Sequence, residues 1–464
     1  MKKRLRIIVS LLAVAGIIFG TALGQRASAT VPGTNTLVSY NSTNTAPSSY
    51  IGNTYATLSD DGNFAVFYSH ATDLVPSDTN GTWADIFIRD LKSSTTSLVD
   101  VSTSGVQGNY DADAPKFAVS RTGRYVAFSD SSTNLIDGQT LPSSPRLYHV
   151  YLRDTVLGTT TLVDQTSTGT LANKDWNPSS QPEQVTGVSD DGRFVLWSTT
   201  ATNLLATGNP PGTNTTPYPY IKDMQTGSIR MVSMSSSGAI ANAVPGNAYM
   251  SCDGSIIIFG SAATNLTASN NGHYSVYVAD QRDGYSLANL TLSANADVGN
   301  YLAPSCNGRY IIVGGTATNL TSDVVNGTTG HIFSYDRLTG SYTLIDKSTS
   351  GTPSAGIQTS GYNGRLVSDT GSVVFISTDK TLSSPSAVNT IEIYLRTPIA
   401  NTTEILPINI SGSEQTPAAS TYSKTLAITS DGKSVLYNST GTNLIPGITT
   451  APSGDGNIVL GKTQ

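Results

Sequence analysis

One turn recurs seven times along this chain, and it limits the possible folds more than any other feature. It reads Ser-x-x-Gly, with Thr for Ser in the last copy. The copies are Ser59–Gly62, Ser120–Gly123, Ser189–Gly192, Ser251–Gly254, Ser305–Gly308, Ser368–Gly371 and Thr429–Gly432. Behind each lies an apolar run such as Phe64–Tyr68, Phe194–Trp197 or Ile256–Phe259. These runs are β-branched and aromatic, which is the composition of strands. The glycine supplies the positive φ that a tight hairpin needs. A second marker, Ala-Thr-Asn-Leu or a near copy, follows each run. Its leucines are Leu74, Leu135, Leu204, Leu266, Leu320, Leu382 and Leu444. They stand 12 residues after the turn glycine in six copies and 11 in the sixth, where Thr381 replaces Asn. Two markers held in phase seven times define a structural repeat. The Asn or Asp before the leucine is expected to close an Asx turn, with the leucine tucked inward.

A third strand follows each marker, as in Asp85–Asp90, His149–Asp154 and His331–Asp336, and a polar turn leads to a fourth, as in Ser97–Val101 and Thr343–Asp346. With the strand ahead of each Ser-x-x-Gly turn, every unit holds four. The turn glycines are 54 to 69 residues apart, so the loops vary while the strands do not. The seventh unit has a third strand, Asn457–Leu460, and no fourth. Residues 36–40 match the fourth-strand pattern and precede the first turn. Borrowing that strand closes a ring and removes the open sheet edge. The predicted fold is therefore an all-β, seven-bladed propeller of four-stranded antiparallel blades, closed by the N-terminal strand. An open solenoid would need capping repeats, and none is visible.

The first 29 residues read as a secretory signal peptide. Lys2, Lys3, Arg4 and Arg6 precede an uncharged apolar run from Ile7 to Gly24, and Ala27-Ser28-Ala29 supplies the small residues of a cleavage site. An uncleaved membrane anchor is the rival reading. Residues 30–464 are expected to form a single propeller domain outside the cytoplasm, secreted or in the cell envelope. Cleavage removes five basic residues (with Arg26) and no acidic ones, taking the formal net charge from −6 to −11. Such acidity excludes nucleic acid and anionic lipid, which require basic patches. After cleavage no segment is expected to enter a membrane. The expected state is a monomer. A hydrophobic content of 38%, regularly spaced, argues against disorder.

Cys252 and Cys306 take the same place in consecutive turns. Export permits a disulfide between them, provided neighbouring blades bring their Cα atoms within about 7 Å. No ligand spacing for a metal surrounds them, and no cofactor motif is present.

The signature Ser189-Asp-Asp-Gly-Arg-Phe-Val195, with Asp85-Ile-Phe-Ile-Arg-Asp90 on the third strand, resembles the TolB-like, WD40-like (PD40-type) β-propeller repeat family, over residues 36 to 462. The resemblance implies the fold far more strongly than a function. TolB carries an α/β domain before its propeller; here the propeller follows the leader directly, so TolB's lipoprotein partner does not carry over. Propellers of this type resemble the non-catalytic domain of some peptidases and the body of some oligosaccharide lyases. No Gly-x-Ser-x-Gly elbow follows, which removes the peptidase reading.

Chemistry is sparse. His149 and His331 share the first position of the third strand with Asp85 and read as structural hydrogen-bonding groups, and no histidine pair has metal spacing. The turn aspartates and those ending third strands read as structural. Asp111 and Asp113, between the first two units, could serve acid–base work or bind a cation. Asp78-Thr79-Asn80-Gly81 is only loosely calcium-like and lacks a distal Glu. An aromatic precedes each innermost strand: Tyr55, Tyr110, Trp176, Tyr249, Tyr301, Tyr362 and Tyr422. Five of these aromatics and two aspartates beside them, namely Tyr110, Asp111, Asp113, Trp176, Tyr249, Tyr301 and Tyr362, are the candidate ligand-binding set. Packing under the loops is the competing role for the rings. No catalytic residue is nominated. The expected function is a non-catalytic binding or scaffolding module for a protein or glycan; the alternative is a polysaccharide lyase or hydrolase working at the channel mouth.

Overall fold

A computed structural model describes residues 35–40, 55–110, 112, 117–142, 147–173, 184–210, 216–355, 364–383, 392–406, 426–439, 445 and 457–463. The leader segment, Asp111, Asp113, Trp176, Tyr362 and Tyr422 lie outside these residues.

The strands form seven antiparallel sheets, one per repeat, all but the last running in sequence order from an inner to an outer strand. Six sheets have four strands. In the sixth blade the described inner strand shrinks to a bridge between Val367 and Val373, supported by Val374 N–H donating to Leu366 O at 3.0 Å. The last blade takes its outer strand from the N-terminus: Thr36 pairs with Leu460, Leu37 with Val459, and Val38 N–H donates to Ile458 O.

The core lies between the sheets, in clusters that mix residues of adjacent blades. Phe67, Ala65 and Phe87 of the first blade pack with Leu436 and Leu460 of the last. Trp197 and Tyr220 of the third pack with Val150 and Val163 of the second. Within a blade, the aromatic at the middle of the second strand stacks on its cross-strand partner. Phe67–Phe87, Phe128–Tyr151, Trp197–Tyr220, Phe259–Tyr277 and Phe375–Tyr394 have ring centroids 5.4 to 6.0 Å apart.

The turn glycine has two duties. Gly192 has φ +70°, and a Cβ there would sit 2.5 Å from Cδ1 of Tyr125, the residue opening the second strand of the preceding blade. Phe64 covers Gly123 in the same way, and Phe194 covers Gly254. The turn therefore closes its own hairpin and accepts its neighbour's side chain. Gly192→Ala is expected to cost about 2–4 kcal/mol in urea unfolding, from roughly 1 of left-handed strain and 1–3 of overpacking.

The second marker works differently from its sequence reading. The leucines are buried as expected at 74, 135, 204, 266 and 382, with Leu320 half-buried. The asparagine does not close a turn of its own. Asn203 Oδ1 accepts from Asn173 N–H, and its Nδ2 donates to Leu171 O; Asn173 in turn bonds Thr202 through both side-chain atoms. The crossover arriving from the preceding blade is thus clamped to the loop after the second strand. The same clamp joins Asn109 to Thr133 and Asn134, Asn242 to Thr264 and Asn265, and Asn295 to Thr318 and Asn319.

Candidate functional site

The second residues of the seven turns, Asp60, Arg121, Asp190, Cys252, Cys306, Asp369 and Ser430, meet around the axis. Every junction between neighbours is bridged. Asp61 N–H donates to Arg121 O, Asp190 N–H to Cys252 O, Cys252 N–H to Cys306 O, Asp369 N–H to Ser430 O and Ser430 N–H to Asp60 O, over 2.7 to 3.1 Å. The other two junctions use carboxylates: Arg121 N–H donates to Asp190 Oδ1 and Asn307 N–H to Asp369 Oδ1. Seven turns joined head to tail leave no gap for a six- or eight-fold arrangement. The chain is a seven-bladed β-propeller.

Between the inner strands of the propeller lies a cavity of about 110 Å³, lined by Tyr55, Thr57, Gln184, Thr186, Asn247 and Tyr249 among others. Its turn end is occupied by Arg365. From the sixth blade this side chain reaches three others: Nε donates to Asp60 Oδ1 at 2.6 Å, Nη1 to Pro304 O at 2.8 Å, and Nη2 lies 3.1 Å from Cys252 Sγ. Burial pushes the Asp60 carboxyl above its ordinary range; Arg365 opposes that rise, while Asp190 and Asp369 add to it. Cys252 and Cys306 form a disulfide across the fourth and fifth blades, with Cα atoms 4.7 Å apart. Asp60 Oδ2 lies 2.9 Å from Cys252 Sγ. Asp60, Cys252 and Cys306 crowd together closely enough to suggest metal ligands. A bonded disulfide offers no thiolate, and a guanidinium beside the same sulfur repels a cation, so the cluster does not fit a metal.

Among the described residues, the four predicted aromatics take three different places. Tyr55 and Tyr249 line the cavity. Burial raises the Tyr249 phenol, so it enters any interaction protonated. Tyr301 is buried and covers Gly314, where its Cβ would be 2.5 Å from any added methyl; it belongs to the core and offers no face at the mouth. Tyr110 turns to Trp83 instead, edge to face, at 6.4 Å. The histidines stay away from the cavity lining. His149 Nδ1 is 2.9 Å from Asp164 Oδ2, and His331 Nδ1 is 2.9 Å from Asp346 Oδ2, both pairs fully buried. The other oxygen of each aspartate accepts a third-strand N–H, from Val150 and Ile332. These are structural pairs joining third and fourth strands. In the first blade, Asp85 and Asp100 hold the matching positions, and burial raises both.

Arg365 escaped sequence analysis, yet a signal exists. Three residues before each turn's Ser or Thr the other repeats carry Ala56, Phe117, Thr186, Ala248, Leu302 and Leu426. A charge at that position is out of pattern.

No protein-family model and no curated protein matches the sequence. Among solved structures, the chain is similar to TolB from Acinetobacter baumannii (13% identity, TM-score 0.32), over 62% of this chain and 52% of that one, so it spans about half of that protein's length. It is similar to a TolB assigned in Agrobacterium tumefaciens (15%, TM-score 0.35; 62% and 78% covered). It is also similar to an oligogalacturonate lyase from Vibrio parahaemolyticus (10%, TM-score 0.46; 90% of each chain).

Proposed function

We propose that the protein is an exported binding module whose protein or glycan ligand enters the hub cavity from the end bearing the crossovers. The observation that carries this is the cavity itself. Its wall is rigid inner strand, its turn end is filled by Arg365, and its lining offers hydroxyls, amides and two phenol rings. Concave polar sites on a rigid frame suit recognition. The basic start, apolar run and Ala27-Ser28-Ala29 support export.

Asn247 is exposed and lines the cavity. Asn247→Trp should fill it while leaving the ring intact. Immobilised wild-type protein is expected to capture a partner from the native envelope or medium, with at least about tenfold less recovered on Asn247→Trp at unchanged melting temperature. Equal recovery on both would remove the hub from consideration. Protein isolated from the source should begin at Thr30; a retained leader, or protein confined to the cytoplasm, would refute export.

A further inference from the structure

Seven repeats of one chain act as controls for each other, and one blade departs from the rest at four linked positions. The residue six after the turn glycine is Tyr68 in the first blade; its strand-matched equivalents are Ser129, Ser198, Gly260, Gly314, Ile376 and Asn438. Two further on, His70 stands where the others have Ser131, Thr200, Ala262, Thr316, Thr378 and Thr440. Two residues before the third strand, Trp83 replaces Leu147, Thr216, His273, Thr329, Thr390 and Asp455. After the clamp asparagine, Tyr110 replaces Lys174, Ala243 and Ala296. The fold sets these four rings in two pairs, with His70 bonded to the carbonyl of Thr82, the residue before Trp83. Trp83 and Tyr110 meet at right angles. His70 is fixed between the Tyr68 hydroxyl and Thr82 O, each at 3.2 Å, and stands edge-on to Tyr68.

The frame beneath is rigid. Ala112 N–H donates to Ala84 O, tying the crossover after Tyr110 to the residue after Trp83. Asn80 Nδ2 donates to Asp85 Oδ1 and Gly108 O, and Thr79 donates twice to Gln107 Oε1. Ala84 and Asp85 are buried, yet Trp83 remains 44% exposed. A large ring held wet by an ordered frame has forgone burial that indole normally gains.

We propose that Trp83, with Tyr110 against it and His70 bonded to the neighbouring Thr82 carbonyl, is an off-axis site that stacks on the apolar face of a neutral pyranose ring. An indole face matches the C–H face of a sugar, and its Nε1–H and the flanking polar edges can reach hydroxyls. The right-angle pair points one ring's edge at the other's face. That leaves a single broad surface, as stacking on a flat ligand needs, whereas a cation cage needs several converging faces. Asp73 and Asp78 belong to the same blade, and Asp111 and Asp113 follow Tyr110 in sequence, so an anionic sugar is disfavoured. The site is separate from the hub cavity, whose lining includes neither Trp83 nor His70.

The test is affinity electrophoresis of the mature chain through gels containing hydroxyethylcellulose, xyloglucan, yeast mannan, soluble starch or glycol chitin, with polygalacturonate as the anionic control. Retardation by at least one neutral polymer is expected, weakened at least tenfold by Trp83→Ala and largely kept by Trp83→Phe and by Asn247→Trp. Melting curves of all variants should lie close to wild type. No retardation by any neutral polymer would overturn the proposal. So would retardation that Trp83→Ala leaves intact, or a preference for polygalacturonate. Trp83-dependent quenching of fluorescence by tetramethylammonium, without sugar binding, would assign the platform to cations instead. Retention in Asn247→Trp separates this site from the hub reading, since either can fail alone.

Discussion

Arg365→Met should lower stability by about 3–5 kcal/mol at pH 7, because it strands a buried carboxylate. Asp60 is almost fully buried, and Arg365 is the cation holding it, at 2.6 Å. The same substitution unhooks Pro304 O, so the sixth blade loses one of its ties to the fifth as well as its link to Asp60 of the first. The pH dependence has a definite sign. Burial already raises Asp60 above its unfolded pKa, so the native state holds the proton more firmly than the unfolded chain does. Stability therefore falls as pH rises from the unfolded pKa through the folded one. Without Arg365 that folded pKa climbs further, the window widens, and the variant's deficit should shrink as pH drops toward about 4. Asp60→Asn in the Arg365→Met background should remove most of this dependence, and the double variant should be more stable at pH 7 than Arg365→Met alone. Urea unfolding of the wild type and the two variants at both pH values reads the result. A deficit in Arg365→Met that is equal at both pH values would show that the guanidinium acts by packing alone.

The ring was legible in the sequence because its determinants are local and steric. A turn glycine must take φ near +70° and must also accept Tyr125 or Phe64 from next door. The positive φ recurs in every copy, so the glycine does too, and it sets the phase. The buried leucines recur for a similar reason. The asparagine clamp was misread because its partner lies 23 to 30 residues upstream, across crossovers of unequal length. Its bonding is a fact of tertiary structure, and the composition of a single turn does not reveal it. The described aromatics diverge for a related reason. Tyr55, Tyr110, Tyr249 and Tyr301 share a place in the order of elements but no fixed distance to the turn. The structure sends two to the hub, one to Trp83 and one to the core. What could have been read is deviation from the repeat. Arg365 and Trp83 are each the odd residue at an aligned position, and an odd residue in a repeat has escaped the constraint that shaped its equivalents.

Deleting residues 30–41 should have the largest effect on the fold. The N-terminal strand supplies only a short ladder to the last blade, through Thr36, Leu37 and Val38. Its side chains do more. Leu37 and Val38 are completely buried, in two different inter-blade clusters, one with the sixth and seventh blades and one with the first. Asn35 Oδ1 accepts from the Tyr437 hydroxyl at 3.2 Å, and Tyr40 O lies within reach of Arg89 on the first blade. The strand is therefore the closure of the ring, touching both blades that must meet. Leu37→Ala alone should cost about 2–5 kcal/mol, the usual range for emptying a leucine site in a packed core. The deletion loses both buried side chains and bares the edge of Asn457–Lys462, a row of unmet backbone groups that invites pairing with another chain. The expected outcome is a melting temperature lower by well over about 10 °C, with concentration-dependent aggregation on heating. A synthetic peptide of residues 30–41 added in excess should restore part of the loss, since it binds the folded ring and not the unfolded chain. A deletion variant that melts like the full chain would mean that the last blade is stable with three strands and that closure of the ring comes from the hub alone.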